Sequence, residues 1–123
     1  MAPRLLIVDD SPQFRAAAAE LLAGQGLEVL AMAADAAQAA VAAACACPDG
    51  ILLDVNLPGP DGFTAAALLA GACPRVRIVL TSANIATVPD DVLKTCGAAA
   101  FVPKEDLAAT DLGALFQPDG AQA

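Results

Sequence analysis

Five functional groups, scattered through the chain, are of types that could do chemistry together. Asp9 and Asp10 stand side by side after one apolar run, and Asp54 follows another, Ile51-Leu52-Leu53. Thr81-Ser82 closes a third run and Lys104 a fourth. Carboxylates gathered at one place repel each other, and desolvation makes that worse, so the grouping calls for a cation. The chain has no histidine, and its cysteines lie away from these acids, which leaves a hard, oxygen-seeking ion such as Mg²⁺ rather than zinc or copper. With that ion present, one carboxylate can attack a phosphoryl group. The hydroxyl would donate to a phosphoryl oxygen and Lys104 would neutralise developing charge.

Whether these groups meet depends on the elements that carry them. Arg4–Val8 reads as a strand closing on Asp9-Asp10. Ser11 or Asp10 as N-cap and Pro12 at N1 then start a helix with the core stripe Phe14, Ala18, Leu21 and Leu22. Gly24 and Gly26 end it. Leu27–Met32 is a second strand, and Asp35 caps a helix over Ala36–Cys45 that Pro48 closes. The stretch from Gly50 to Asp54 has no polar alternation, as in a strand buried on both faces of a parallel sheet. Pro58-Gly59-Pro60-Asp61-Gly62 leads into a helix over Phe63–Ala70, stopped by Gly71 and Pro74. Val76–Leu80 is strand four, and a loop through Asn84 and Thr87 leads to a helix entered at Pro89 and capped at Gly97. Ala99–Val102 is strand five, ending in Pro103-Lys104, and a last helix lies between Asp106 and Phe116.

Five strand–helix alternations with short connections predict a three-layer, doubly wound (βα)5 domain with parallel strands and right-handed crossovers. In such sheets ligands bind at the carboxyl ends of the strands, where all five groups fall. The plainer roles are capping for Asp9-Asp10, a turn for Asp54, Asn56 and Asn84, and a loop hydroxyl for Ser82 with Thr81 as its alternative. Phe101, on a strand, is by default a core side chain.

Bulk properties narrow the class. The 123 residues fit one domain, and 58% hydrophobic content excludes disorder. A net charge of -8 and a pI near 4.1 argue against nucleic acid and against an acidic membrane surface. Met1–Val8 is too short for a signal peptide, and the longest apolar run, Ala39 to Cys47, falls far short of the ~20 residues of a membrane span. A cytoplasmic protein is the expectation, with Cys45, Cys47, Cys73 and Cys96 reduced and acting as small hydrophobes.

Taken together, Asp9-Asp10, Asp54 before Asn56-Leu57-Pro58-Gly59 and Gly62, the hydroxyl closing strand four, Gly97, and Phe101-Val102-Pro103-Lys104 resemble the receiver domain of two-component response regulators. The likeness covers essentially the whole chain, as a receiver domain over 1–117 with a short polar tail at 118–123. Forty-four positions separate Asp10 from Asp54 and 22 separate Ser82 from Lys104, and the second interval selects Ser82 as the switch hydroxyl.

The resemblance implies a flavodoxin-like sheet of order 2-1-3-4-5 and a phosphoryl-accepting signalling switch rather than an enzyme. Asp54 would accept a phosphoryl group from a histidine kinase or histidine phosphotransfer protein. Asp10, Asp54 and the backbone carbonyl of Asn56 would ligate Mg²⁺, with Asp9 holding it through water. Lys104 and Ser82 would bind the phosphoryl group, Phe101 would turn inward, and Asn56 and Asn84 would tune its lifetime. A target protein would read the face of helix four, strand five and helix five. Glu105 stands where the family usually has proline, and a cis bond before a non-proline residue costs about 2.5–4 kcal/mol.

The same residues bear on three other functions. A carrier in a phosphorelay would use identical chemistry. A Mg²⁺-dependent phosphatase with an aspartyl intermediate would need two acids spaced two apart after one strand, and Asn56 breaks that pattern after Asp54. A flavin or dinucleotide binder would need a glycine- or hydroxyl-rich loop after strand one, where Asp9-Asp10-Ser11-Pro12 instead repels phosphate.

Overall fold

Alternating apolar residues build a sheet whose two faces carry two separate cores. The computed structural model describes residues 2–117, so the tail at 118–123 lies outside the described residues. The strands are β1 (Arg4–Val8), β2 (Glu28–Ala33), β3 (Gly50–Asp54), β4 (Arg77–Ser82) and β5 (Ala100–Pro103). Between them run the helices α1 (Pro12–Gly24), α2 (Ala36–Cys45), α3 (Gly62–Ala72) and α4 (Asp90–Cys96). All strand pairs are parallel, in the order β2-β1-β3-β4-β5, giving the flavodoxin-like topology.

Leu6, Val8, Ile51, Leu53, Ile78 and Leu80 face α2 and α3, where Ala39, Ala43, Ala65, Ala66 and Leu69 receive them. Leu5, Ile7, Leu52, Val79 and Val102 face the other way, onto Ala18 and Leu22 of α1 and onto Leu107, Leu112 and Phe116. Alanine along α2 and α3 lets helix backbones approach the sheet closely. Each of these ten-residue-scale helices is set by a side-chain cap: Ser11 Oγ accepts from Phe14 N, Asp35 Oδ1 from Gln38 N and Asp61 Oδ1 from Thr64 N.

Several expectations shift. β2 and β4 each begin one residue later than the apolar runs suggest, and α3 runs through Gly71 to Ala72. The last helix divides into a 3-10 segment, Lys104–Ala109, and a four-residue helix α5, Leu112–Leu115. Gln25, beyond the end of α1, holds the break: its Nε2 donates to the Thr110 carbonyl at 3.0 Å and its Oε1 accepts from Leu112 N at 2.9 Å. The peptide bond between Lys104 and Glu105 is trans.

The expectation of four reduced cysteines is overturned. Cys47 and Cys73 form a disulfide with Cα atoms 5.8 Å apart, while Cys45 (exposed) and Cys96 (buried) are free thiols. The pair joins the chain just beyond α2 to the chain just beyond α3. Those helices pack side by side on one face of the sheet, which brings together two residues 26 positions apart. Nothing in their sequence spacing signals the pairing.

Candidate functional site

Parallel register is what assembles the site. Val8 pairs with Leu53, and Asp54 with Thr81, so Asp9 and Asp54 leave neighbouring strands side by side. Ser82 pairs with Pro103, which puts Lys104 one step beyond on the adjoining strand. The alternation that carries Leu5, Ile7, Leu52, Val79 and Val102 to the α1 face carries Asp9, Asp54, Thr81 and Lys104 there as well. Phe101 belongs to the opposite face, half-buried against the α2–α3 core.

Asp9 is fully buried, Asp54 is 4% exposed and Asp10 is exposed. One oxygen from each lies within 4.8 Å of the others. Lys104 Nζ meets Asp9 Oδ2 at 2.7 Å and stands 3.8 Å from Asp54 Oδ2. Two of the three carboxylates thus face one ammonium. Asp9 Oδ1 accepts from Ser11 N at 2.8 Å, and Asp54 Oδ1 from Asn56 N at 3.2 Å. Burial, followed by the Asp9 charge, raises the Asp54 carboxyl above its ordinary value of 3.8. The Asn56 N–H and Lys104 oppose that shift without cancelling it.

A hard cation fits this donor set. Beyond its ionic contact with Lys104, the buried Asp9 Oδ2 has no hydrogen bond among the described residues, so it has capacity for a cation or a cation's water. Asp10 presents its carboxylate from solvent, and no imidazole or thiolate joins the cluster. Oxygen-only ligation at a partly hydrated mouth is the environment Mg²⁺ takes.

The remaining expected residues divide. Ser82 is buried, and its Oγ accepts from Asn56 Nδ2 and from Asn84 N, each at 3.0 Å. Asn56, Ser82 and the backbone of Asn84 therefore form one connected rim beside Asp54, with both asparagine side chains in exposed residues. Thr81 Oγ1, by contrast, is buried without a hydrogen bond among the described residues. Phe101 lies away from the acids, beside a cavity of about 360 Å³ between α4 and β5 lined in part by Ala86, Val88 and Leu93.

Gly62 was a mark of the resemblance without a physical role, and Arg15 and Phe14 escaped sequence reasoning as parts of the site. Gly62 packs so tightly that a Cβ there would overlap the Asp54 carbonyl and Val55 Cα, and its N–H donates to the Val55 carbonyl. The Pro58–Gly62 turn thus seats the start of α3 directly on the end of β3. Arg15, off the apolar stripe of α1, donates from Nη1 to the Asp9 carbonyl at 2.7 Å. Phe14, expected to be core, is half-buried with Lys104 Nζ 4.1 Å from its ring centroid. A charged residue near its own element's start was the available signal for Arg15; Phe14 offered none.

Comparison with known proteins agrees with this geometry. A family model described as the response regulator receiver domain matches residues 5–113. The chain is 36% identical over 116 residues to a protein-glutamate methylesterase/protein-glutamine glutaminase of Archaeoglobus fulgidus, covering 93% of this chain and 33% of that protein. It thus spans about a third of the length of that relative. It is 36% identical over 83 residues to the chemotaxis protein CheY of Bacillus subtilis, covering 68% of this chain and 69% of CheY. A two-component response regulator of the LuxR family from Aurantimonas superposes with a TM-score of 0.83 at 28% identity, over 94% of this chain and 83% of that one.

Proposed function

The chain belongs to the response regulator receiver domain family, and from that premise we propose that residues 1–117 act as a phosphoryl-accepting switch with Asp54 as the acceptor. The observation that carries this is the buried cluster of Asp9, Asp54 and exposed Asp10, with Lys104 2.7 Å and 3.8 Å from the first two. An Asp54 oxygen attacks the phosphorus of a phosphohistidine on a kinase or phosphotransfer protein. The new O–P bond forms as the P–N bond breaks, and the imidazole nitrogen leaves with the electron pair and takes up a proton.

Asp10, Asp54 and the Asn56 carbonyl would hold Mg²⁺, with Asp9 reaching it through water. When bound, the ion neutralises the acids and the incoming phosphoryl oxygens. Lys104 neutralises a further phosphoryl oxygen as it leaves Asp9. Ser82 exchanges its Asn56 and Asn84 contacts for the phosphoryl group, and Asn56 and Asn84 then line the path of the water that removes it. Phe101 turns toward the space Ser82 vacates. The α4–β5–α5 face carries that change to a target protein. Among the described residues no helix is long and apolar enough to cross a membrane, and the cytoplasm is the compartment proposed.

The test is incubation with Mg²⁺ and acetyl phosphate. The protein gains one base-labile phosphoryl mass, and Asp54→Ala gains none. Equal labelling of Asp54→Ala overturns the assignment.

A further inference from the structure

We propose that Phe14 is a positioning residue for Lys104, its ring face holding the ammonium on the Asp9 side of the acid pocket and short of Asp54. The inference rests on the switch proposed above, but its structural half is testable without it. Lys104 Nζ lies 4.1 Å from the Phe14 ring centroid, well inside the ~6 Å at which a ring's negative face attracts a cation. The Lys104 side chain is only 20% exposed, so water competes weakly for the ammonium.

Two of the ammonium's three neighbours, Asp9 and Phe14, come from the residue just after β1 and the first turn of α1. Asp54, the third, comes from β3 and stands farther off, at 3.8 Å against 2.7 Å for Asp9. The backbone that carries the ring is well fixed. Phe14 N donates to the Ser11 cap at 3.2 Å, and the next residue, Arg15, ties the same turn to the Asp9 carbonyl. The turn that bears the ring and the Asp9 backbone are therefore parts of one corner, and the ammonium sits against that corner. Asp54 Oδ2 keeps a lone pair uncommitted, as a nucleophile must. With the ring gone, the ammonium closes on Asp54 and occupies the oxygen that has to attack.

Lys94 and Lys104 are the lysines of the chain, so selectively labelled lysine gives two sets of NMR signals, with Lys94 as the internal reference. The ε-CH₂ protons of Lys104 are expected upfield of those of Lys94 and inequivalent, from the ring current and from immobilisation. Phe14→Leu, which keeps an apolar side chain of similar reach, removes the upfield shift while the two carboxylates keep the protons inequivalent, and Phe14→Tyr retains both features. Phosphoryl uptake from acetyl phosphate slows about fivefold in Phe14→Leu, the effect of losing one partly desolvated ring contact, and stays near the parent rate in Phe14→Tyr.

Lys104 signals that coincide with those of Lys94 in the parent protein overturn the proposal, whatever the rates. So does an unchanged uptake rate in Phe14→Leu when its Lys104 signals have moved. If the parent protein takes up no phosphoryl group, it is the switch assignment that fails, and the positioning claim is then decided by the NMR comparison alone.

Discussion

At the edge of the sheet where the strands begin, Gly50 lies under the Phe116 ring and Leu5, and the Cys47–Cys73 bridge ties the chain beyond α2 to the chain beyond α3. At the edge where they end, buried Asp9 and Asp54 both face the Lys104 ammonium, and Thr81 Oγ1 is buried without a hydrogen bond among the described residues. One edge removes freedom from the unfolded chain and fills space with apolar groups. The other holds like charges out of water, an arrangement that lowers stability until a cation arrives. The lesson is a division of labour: a domain can tolerate frustration at its reactive edge because cohesion is concentrated at the opposite one.

The contrast breaks most visibly at the bridge. Replacing Cys47 and Cys73 by serine removes a cross-link closing a 26-residue separation, and unfolding in urea should show a loss of roughly 3 kcal/mol. Mg²⁺ affinity, followed by titration, should not change. A large fall in affinity would show that the two edges are coupled.

The glycines sharpen the comparison next. Gly50→Ala forces a methyl into the flexible ends of Phe116 and Leu5, whereas Gly62→Ala forces one into the backbone at Asp54 and Val55. Each should cost about 1–3 kcal/mol from overpacking. Gly62→Ala alone should also slow phosphoryl uptake, because the backbone that must move carries the proposed acceptor, Asp54.

Asp54→Asn should act in the opposite sense. The Asp54 carboxyl is raised above 3.8, so in the window between 3.8 and that higher value the folded protein binds more protons than the unfolded chain. Stability therefore falls as pH rises through that window and stays lowered above it. At pH 7 the asparagine variant should melt higher than the parent, with the difference shrinking as pH falls toward 3.8. Saturating Mg²⁺ should stabilise the parent by mass action and do little for the variant. The smallest effect belongs to Thr81→Val, which exchanges an unpartnered buried hydroxyl for a methyl and should stabilise by about 1 kcal/mol. A loss of that size would mean that the hydroxyl has a partner.

By itself the sequence determined the sheet, its helices and the meeting of Asp9, Asp10, Asp54 and Lys104. Strand burial and helix capping are written in local, periodic patterns, and in a parallel sheet every strand end must arrive at the same edge. The likeness to a known family added the strand order, and with it the expectations that Ser82 rather than Thr81 is the switch hydroxyl and that Asn56 and Asn84 tune phosphoryl lifetime. Only the tertiary structure decided the rest. The Cys47–Cys73 bridge, the Asn56–Ser82 bond, the ring of Phe14 over Lys104 and the Gln25 clamp that divides the last helix each join elements remote in sequence. Such contacts depend on ångström-scale placement of one element against another, and apolar periodicity, which fixes only the face a residue occupies, carries no record of that distance.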